Sequence, residues 1–103
     1  MTQRTGFVLH VRPDKIDEYV SAHRNVWPEM LDALRSAGIR NYTIFRSGNS
    51  VFGHFEAEDL DSAAAFLEAQ EVNGRWQNAM AELLEERVPD GGPPALEQIF
   101  RLD

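Results

Sequence analysis

The spacing between apolar residues switches along this chain between two residues and about 3.6, and the order of the switches limits the fold more than any other feature. Residues 5–12, TGFVLHVR, alternate Phe7, Leu9 and Val11 with Val8, His10 and Arg12, which is the period of a strand. Both sets are partly apolar, so an internal strand with cover on each side is expected. Pro13-Asp14 ends it and suits the first turn of a helix. Apolar or aromatic positions then recur at Ile16, Val20, His23, Trp27, Met30, Leu31 and Leu34, a helical period. Pro28 interrupts it, because proline lacks the N–H and disfavours helical geometry at the residue before it. Two helical pieces, 14–24 and 28–37, are predicted, with Asn25 able to cap the second and Gly38 ending it in the left-handed conformation.

Residues 39–46, IRNYTIFR, and 51–57, VFGHFEA, read as two strands joined by the turn residues SGNS, a β-hairpin. Asp59 and Asp61 precede SAAAFLEAQ and mark a helix start. Asn73-Gly74 predicts a break or kink, after which RWQNAMAELLEERV resumes as helix with Trp76, Met80, Leu83 and Leu84 on one face. VPDGGPPA, 88–95, reads as a loop and LEQIFRL, 96–102, as a last strand.

The order β-α-β-β-α-β is that of the α+β, ferredoxin-like split βαβ arrangement, a four-stranded antiparallel sheet with its helices on one face. At 103 residues the chain makes one domain, 1–103. The sheet's other face would carry Val8, Tyr42, Phe52 or Phe55, and Phe100 in some combination, too apolar a set to leave in water. A homodimer that packs sheet faces or edges together, a dimeric α+β barrel, is therefore expected.

Several function classes lose their signatures. The net charge is −7 and the ten basic residues are scattered, which argues against a nucleic-acid partner. There is no cysteine, so disulfide and thiol chemistry are excluded. No apolar run approaches a membrane span, and MTQRTGF lacks the apolar core of an export signal, so a cytoplasmic protein away from membranes is expected. No phosphate loop, nucleophile elbow or dinucleotide fingerprint occurs.

What remains is Tyr19, His23 and Trp27, four residues apart and so on roughly one helix face. His23 has an ordinary pKa near ~6.5, suited to acid–base work at neutral pH. A core histidine bonded to a neighbouring carbonyl explains the spacing equally well. Trp27 and Trp76 are either core residues or platforms for the apolar face of a sugar or other ring. Arg75 and Gln77 flank Trp76 and could edge a pocket. His10 and His54 could line a cavity with Tyr42, but neither the H-x-H nor the H-x-x-x-H spacing of a metal site is present.

The chain resembles the L-rhamnose mutarotase family over nearly its whole length. The likeness rests on the first strand with its P-D, then EYVSAHRNVWPEM, which joins E-Y-x-x-x-H to W-P-E, then NYTIF, NGRWQNAM and LEQIFRLD. The resemblance implies a small ferredoxin-like dimer that interconverts the α and β anomers of a monosaccharide, a 6-deoxy-hexose such as L-rhamnose, without a cofactor. It puts the proton-donating histidine at His23, substrate-contacting tyrosines at Tyr19 and Tyr42, and a tryptophan platform at Trp76. Where the family often has a second Trp this chain has Gln77, which replaces a stacking ring by a hydrogen-bonding amide and bears on which sugar is bound. Two other readings stay open: a cofactor-free oxygenase-type enzyme on the same dimeric barrel, and a non-catalytic sugar-binding module in which His23 is structural.

Overall fold

The alternation of the N-terminal run becomes β1, Gln3–His10, in the computed structural model of the chain, which describes residues 1–89 and 92–102. A single 3-10 turn, Pro13–Lys15, leads into α1, Ile16–Arg24, and α2 follows at Pro28–Ser36. The hairpin forms as β2, Arg40–Ser47, and β3, Ser50–Ala57, with Gly48 at φ +59° in the turn. Two more helices, α3 at Leu60–Glu68 and α4 at Glu71–Ala81, complete the regular structure. The sheet is antiparallel in the order β1-β3-β2. The architecture is the expected ferredoxin-like α+β one.

Strand alternation decides which residues make the core. Phe7 and Leu9 of β1 and Val51 of β3 are buried, and they join Tyr19 of α1, Met30 of α2, and Trp76 and Met80 of α4 in one cluster. The helices therefore cover one face of the sheet. Gly53 sits opposite Phe7. A Cβ there would lie 2.1 Å from the Phe7 ring, so only glycine lets that ring lie across β3. A second cluster, Ile39, Ala57 and Ala63, packs beneath α3.

Several sequence expectations are moved by long-range packing. Asn25 does not cap α2; its amide donates back to the Ser21 carbonyl at the end of α1, 3.1 Å away, and Trp27 holds the position before Pro28. Gly38, at φ +86°, ends the segment as predicted. The break in the second helical region falls at Ala69 and Gln70 rather than at Asn73-Gly74, which lie in the first turn of α4 and bond back to the Gln70 carbonyl. The reason is that Leu67 serves the Ile39 cluster while Trp76 and Met80 serve the main one. Asp59 caps α3 by accepting from the Ser62 N–H at 3.1 Å. Leu83 and Leu84 are buried as expected, but beyond the end of α4. The Arg12 N–H donates to the Leu83 carbonyl and the Glu85 N–H to the His10 carbonyl, so this segment closes one end of the free edge of β1.

The expected fourth strand does not form within the chain. Residues 96–102 have no strand conformation, although the Leu96 N–H reaches the sheet and donates to the Gly6 carbonyl at 2.8 Å. Ile99, Phe100 and Leu102 are exposed. The loop expected at 88–95 is irregular where described, and Asp90 and Gly91 lie outside the described residues. On the uncovered face, Val8, Phe52 and Phe45 form one cross-strand row. Of the residues expected there, Tyr42 and Phe55 instead belong to the helix-covered side, with Phe7.

Candidate active site

Spacing of four residues on α1 brings Tyr19 and His23 together, with ring centroids 4.3 Å apart. The contact between them that matters most is to the backbone. His23 Nδ1 lies 2.9 Å from the Tyr19 carbonyl oxygen. A carbonyl only accepts, so Nδ1 carries the proton and Nε2 keeps its lone pair. Burial lowers the His23 pKa, and the bond to the Tyr19 carbonyl opposes that more weakly. The imidazole is thus a neutral base at neutral pH. The expected bond from the histidine to a neighbouring carbonyl is present, and it occupies only Nδ1.

Behind the imidazole stands Trp76 of α4, edge-on at 5.4 Å, with Trp27 edge-on to Trp76 at 5.1 Å. The Arg75 guanidinium lies 5.8 Å over the Trp27 ring and bridges to Glu29 of α2 at 3.2 Å, tying the two helices together. Trp76 is only 7% exposed, so it forms a wall to His23 rather than an open platform. In front of the imidazole is a cleft of about 350 Å³, lined by Tyr19, Val20, His23 and Arg24 of α1 and by Ile44, Arg46 and Val51 of the sheet. That volume is at the small end of ligand sites, which run roughly 300–1,000 Å³.

Tyr42 lies beyond this cleft, tilted on Phe55 at 5.1 Å and edge-on to Phe7 at 6.3 Å. It keeps 41% of its surface exposed. Even so its phenol is crowded enough to raise its pKa, and Tyr19 adds to the rise. Burial pushes Tyr19 itself up to about 12. Both phenols therefore stay protonated at any working pH and act as hydrogen-bonding groups. Gln77 is not brought to the cleft. It is exposed and donates to Asn73 Oδ1 at 3.4 Å along the surface of α4. The sheet residues of the cleft, Ile44, Arg46 and Val51, escaped the sequence reading. The signal was present, since Ile44 and Arg46 alternate with Phe45 and so share a face with each other.

His10 and His54 take no part. The register Gly6↔His54 and Val8↔Phe52 puts both on the uncovered face, away from His23. His10 Nδ1 is engaged by Glu86 Oε2 at 2.9 Å. Among the described residues no group of three or more His, Asp or Glu is placed to hold a metal ion.

Fold and site together define a class: a ferredoxin-like α+β domain whose acid–base cleft fits one small ring. A family model for L-rhamnose mutarotase matches residues 4–102. The chain is 40% identical to the L-rhamnose mutarotase of Burkholderia cenocepacia, covering 95% of this chain and 96% of that one. It is 34% identical to that of Oceanobacillus iheyensis, over 98% and 99%. The crystal structure of an L-rhamnose mutarotase from Formosa agariphila superposes with a TM-score of 0.76, covering 98% of this chain and 99% of that one at 24% identity, a likeness of fold. The chain belongs to the L-rhamnose mutarotase family, the anomer-interconverting isomerases.

Proposed function

We propose that the chain exchanges the α and β anomers of L-rhamnose or a closely related 6-deoxy-hexose, with His23 as its acid–base group. One observation carries this reading: Nδ1 is committed to the Tyr19 carbonyl, which leaves a basic Nε2 at a cleft the size of one sugar ring. Nε2 takes the proton of the anomeric hydroxyl as the bond from C1 to the ring oxygen breaks. That bond's electron pair goes to the ring oxygen, which receives a proton from a second donor, a phenol or a water. Rotation about C1–C2 presents the other face of the aldehyde, and the reverse transfers close the ring. Proton transfers alone balance the reaction, and each well-placed acid or base contributes on the order of 10²–10⁴-fold.

In this reading Tyr19 and Tyr42, protonated throughout, orient sugar hydroxyls. Trp76 backs the imidazole and fixes its orientation, while Val20, Ile44 and Val51 offer the apolar lining for the methyl-bearing side of a deoxy sugar. Gln77, where the family often has a second Trp, is the departure that bears on which deoxy sugar is taken, although it lies on the surface of α4 outside the cleft. The uncovered row Val8, Phe52 and Phe45, with the apolar tail 96–102 beside it, supports a homodimer closed over that face. A cytoplasmic location fits a sugar isomerase. No helix among the described residues is long and apolar enough to cross a membrane.

NMR saturation exchange between anomers tests the reading directly. Over a panel of L-rhamnose, L-fucose and ordinary hexoses, exchange is expected to rise above the buffer rate for a 6-deoxy-hexose. Acceleration of none of them, despite binding, would favour the non-catalytic module.

A further inference from the structure

We infer that Asn41 and Glu56 are positioning residues for Tyr42: they hold a β-bulge that turns its ring onto the cleft side of the sheet. The kinetic consequence rests on the reading of Tyr42 as a substrate contact, while the geometry is independent of it.

Strand periodicity exposes the problem the bulge solves. Ile39 is 8% exposed and packs with Ala57 and Ala63 on the helix-covered side. Tyr42, three residues on, packs on Phe55 and Phe7 of the same side. Alternation by two sends residues three apart to opposite faces, so one extra residue must lie between them. The ladder shows where it is. Arg40 pairs with Glu56, yet Thr43 pairs with His54, with the register shift between them. Without the shift, a chain entering with Ile39 in the core would put Tyr42 on the uncovered face, with Phe45 and Phe52 also out of phase.

Asn41 is the residue that takes up the slack. It is the only described non-glycine residue at positive φ, +52°. That region is disfavoured for any residue with a Cβ, and asparagine is among those that tolerate it best. Its side chain is held as well. The Asn41 amide donates to Glu56 Oε1 at 2.5 Å, and Glu56 Oε2 accepts from Arg4 Nε at 2.6 Å. One carboxylate on β3 thus links the bulge on β2 to β1, across all three strands. The bond from Asn41, with smaller help from Arg4 and His54, outweighs partial burial and holds the Glu56 carboxyl below its ordinary range, so it is a charged acceptor at neutral pH. None of these groups lines the cleft. Their effect on it passes through the direction of Tyr42.

The test compares Asn41→Val, Asn41→Gly, Glu56→Ala and Tyr42→Phe by two readouts: NMR contacts between the Tyr42 and Phe55 rings, and KM and kcat for anomer exchange. Valine resists positive φ, so Asn41→Val is expected to lose the ring contact. Its KM should rise by the same factor as in Tyr42→Phe, roughly 2- to 12-fold for one hydrogen bond, with kcat moved less. The double variant N41V/Y42F should bind no worse than Tyr42→Phe alone. Asn41→Gly keeps the left-handed backbone and should recover the ring contact and most of the KM. Rescue by glycine ties the loss to the left-handed backbone, and the absence of a further loss in N41V/Y42F is what a merely destabilised fold would not show. If Asn41→Val fails to fold, Glu56→Ala carries the test, with a weakened ring contact and a raised KM expected. Parent ring contacts and parent KM in the folded Val or Ala variant would overturn the inference. If instead Tyr42→Phe keeps the parent KM while Asn41→Val loses the ring contact, the positioning stands and the substrate role of Tyr42 falls.

Discussion

The two faces of the sheet are made by alternate residues of the same three strands, yet they meet opposite fates. On one, Phe7, Leu9 and Val51 are 6%, 9% and 1% exposed and pack against α1, α2 and α4, and the cleft lies between α1 and the strands. On the other, Val8, Phe52 and Phe45 form an apolar row that no helix covers, with Phe45 67% exposed. The contrast shows that this chain buries one side of its sheet and leaves apolar residues of the other in solvent. His23, Trp76 and the cleft all belong to the helix-covered face. The open face offers exposed apolar area along this row, and a hollow there of about 150 Å³, at Arg40, Asn41 and Glu56, is lined mainly by polar groups.

That division can be broken most forcefully at the base. His23→Ala removes the proposed base, and anomer exchange is expected to fall by roughly 10²–10⁴-fold. The fold should survive, because His23 is only partly buried and its single bond is to its own helix. A variant that exchanges anomers at the parent rate would move the chemistry elsewhere in the molecule.

The open face is tested by charge. Phe45→Asp forfeits burial of a large aromatic side chain, worth about 1.5–3 kcal/mol per protomer. With two copies lost in a symmetric dimer, association should weaken by roughly 10²–10⁴-fold, visible by sedimentation as a shift from dimer to monomer. A parent chain that is already monomeric at micromolar concentration would defeat the paired-face reading. A Phe45→Asp monomer with full activity would show that the faces are functionally separate.

On the covered face, Gly53 tests how tightly the sheet and the Phe7 ring are matched. A methyl group at Gly53 meets that ring at 2.1 Å. Gly53→Ala is expected to cost about 1–3 kcal/mol, lowering the melting temperature by about 4–8 °C per kcal/mol for a domain of this size. An alanine on the open face at Val8 should be felt much less. Calorimetry on both variants checks the difference.

What was legible in the sequence follows the range of the interactions involved. Strand and helix periods differ enough that the element order could be read locally, and Pro28 and Gly38 punctuated it correctly. Tyr19 and His23 could be paired because one helical turn separates them. The contact of Trp76 with His23 depends on how α4 docks and was not foreseen; family resemblance offered Trp76 only as a platform for the sugar. The helix break at Gln70 was missed because it is set by two separate clusters rather than by Asn73-Gly74. The bulge at Asn41 was missed for a similar reason, since register is a property of two strands. LEQIFRL has the pattern of a strand, but a strand also needs an edge to pair with along its length. Within the described residues it forms no ladder, and its Leu96 N–H bonds to the Gly6 carbonyl.

The smallest expected effect concerns protons, and it sharpens the comparison most finely. Burial against Trp76 and the sheet holds the His23 pKa below its ordinary 6.5. Catalysis as proposed needs the neutral ring, so the acid limb of kcat/KM should lie below pH 6.5, once the His23→Ala rate is subtracted to remove spontaneous exchange. The stability effect has a definite sign. Below about pH 6.5 the unfolded chain takes up a proton at this histidine while the folded chain still resists it, so the unfolded state is favoured as pH falls. This contribution is complete above pH 6.5, is lost as pH falls toward the folded pKa, and levels off below that. Melting temperatures between pH 7 and 5 should therefore drop more for the parent than for His23→Gln. An acid limb at or above pH 6.5 would mean that the bond to the Tyr19 carbonyl outweighs burial. The covered face would then be wetter at His23 than its packing indicates, and the cleft would share more with the open face than the buried core beside it does.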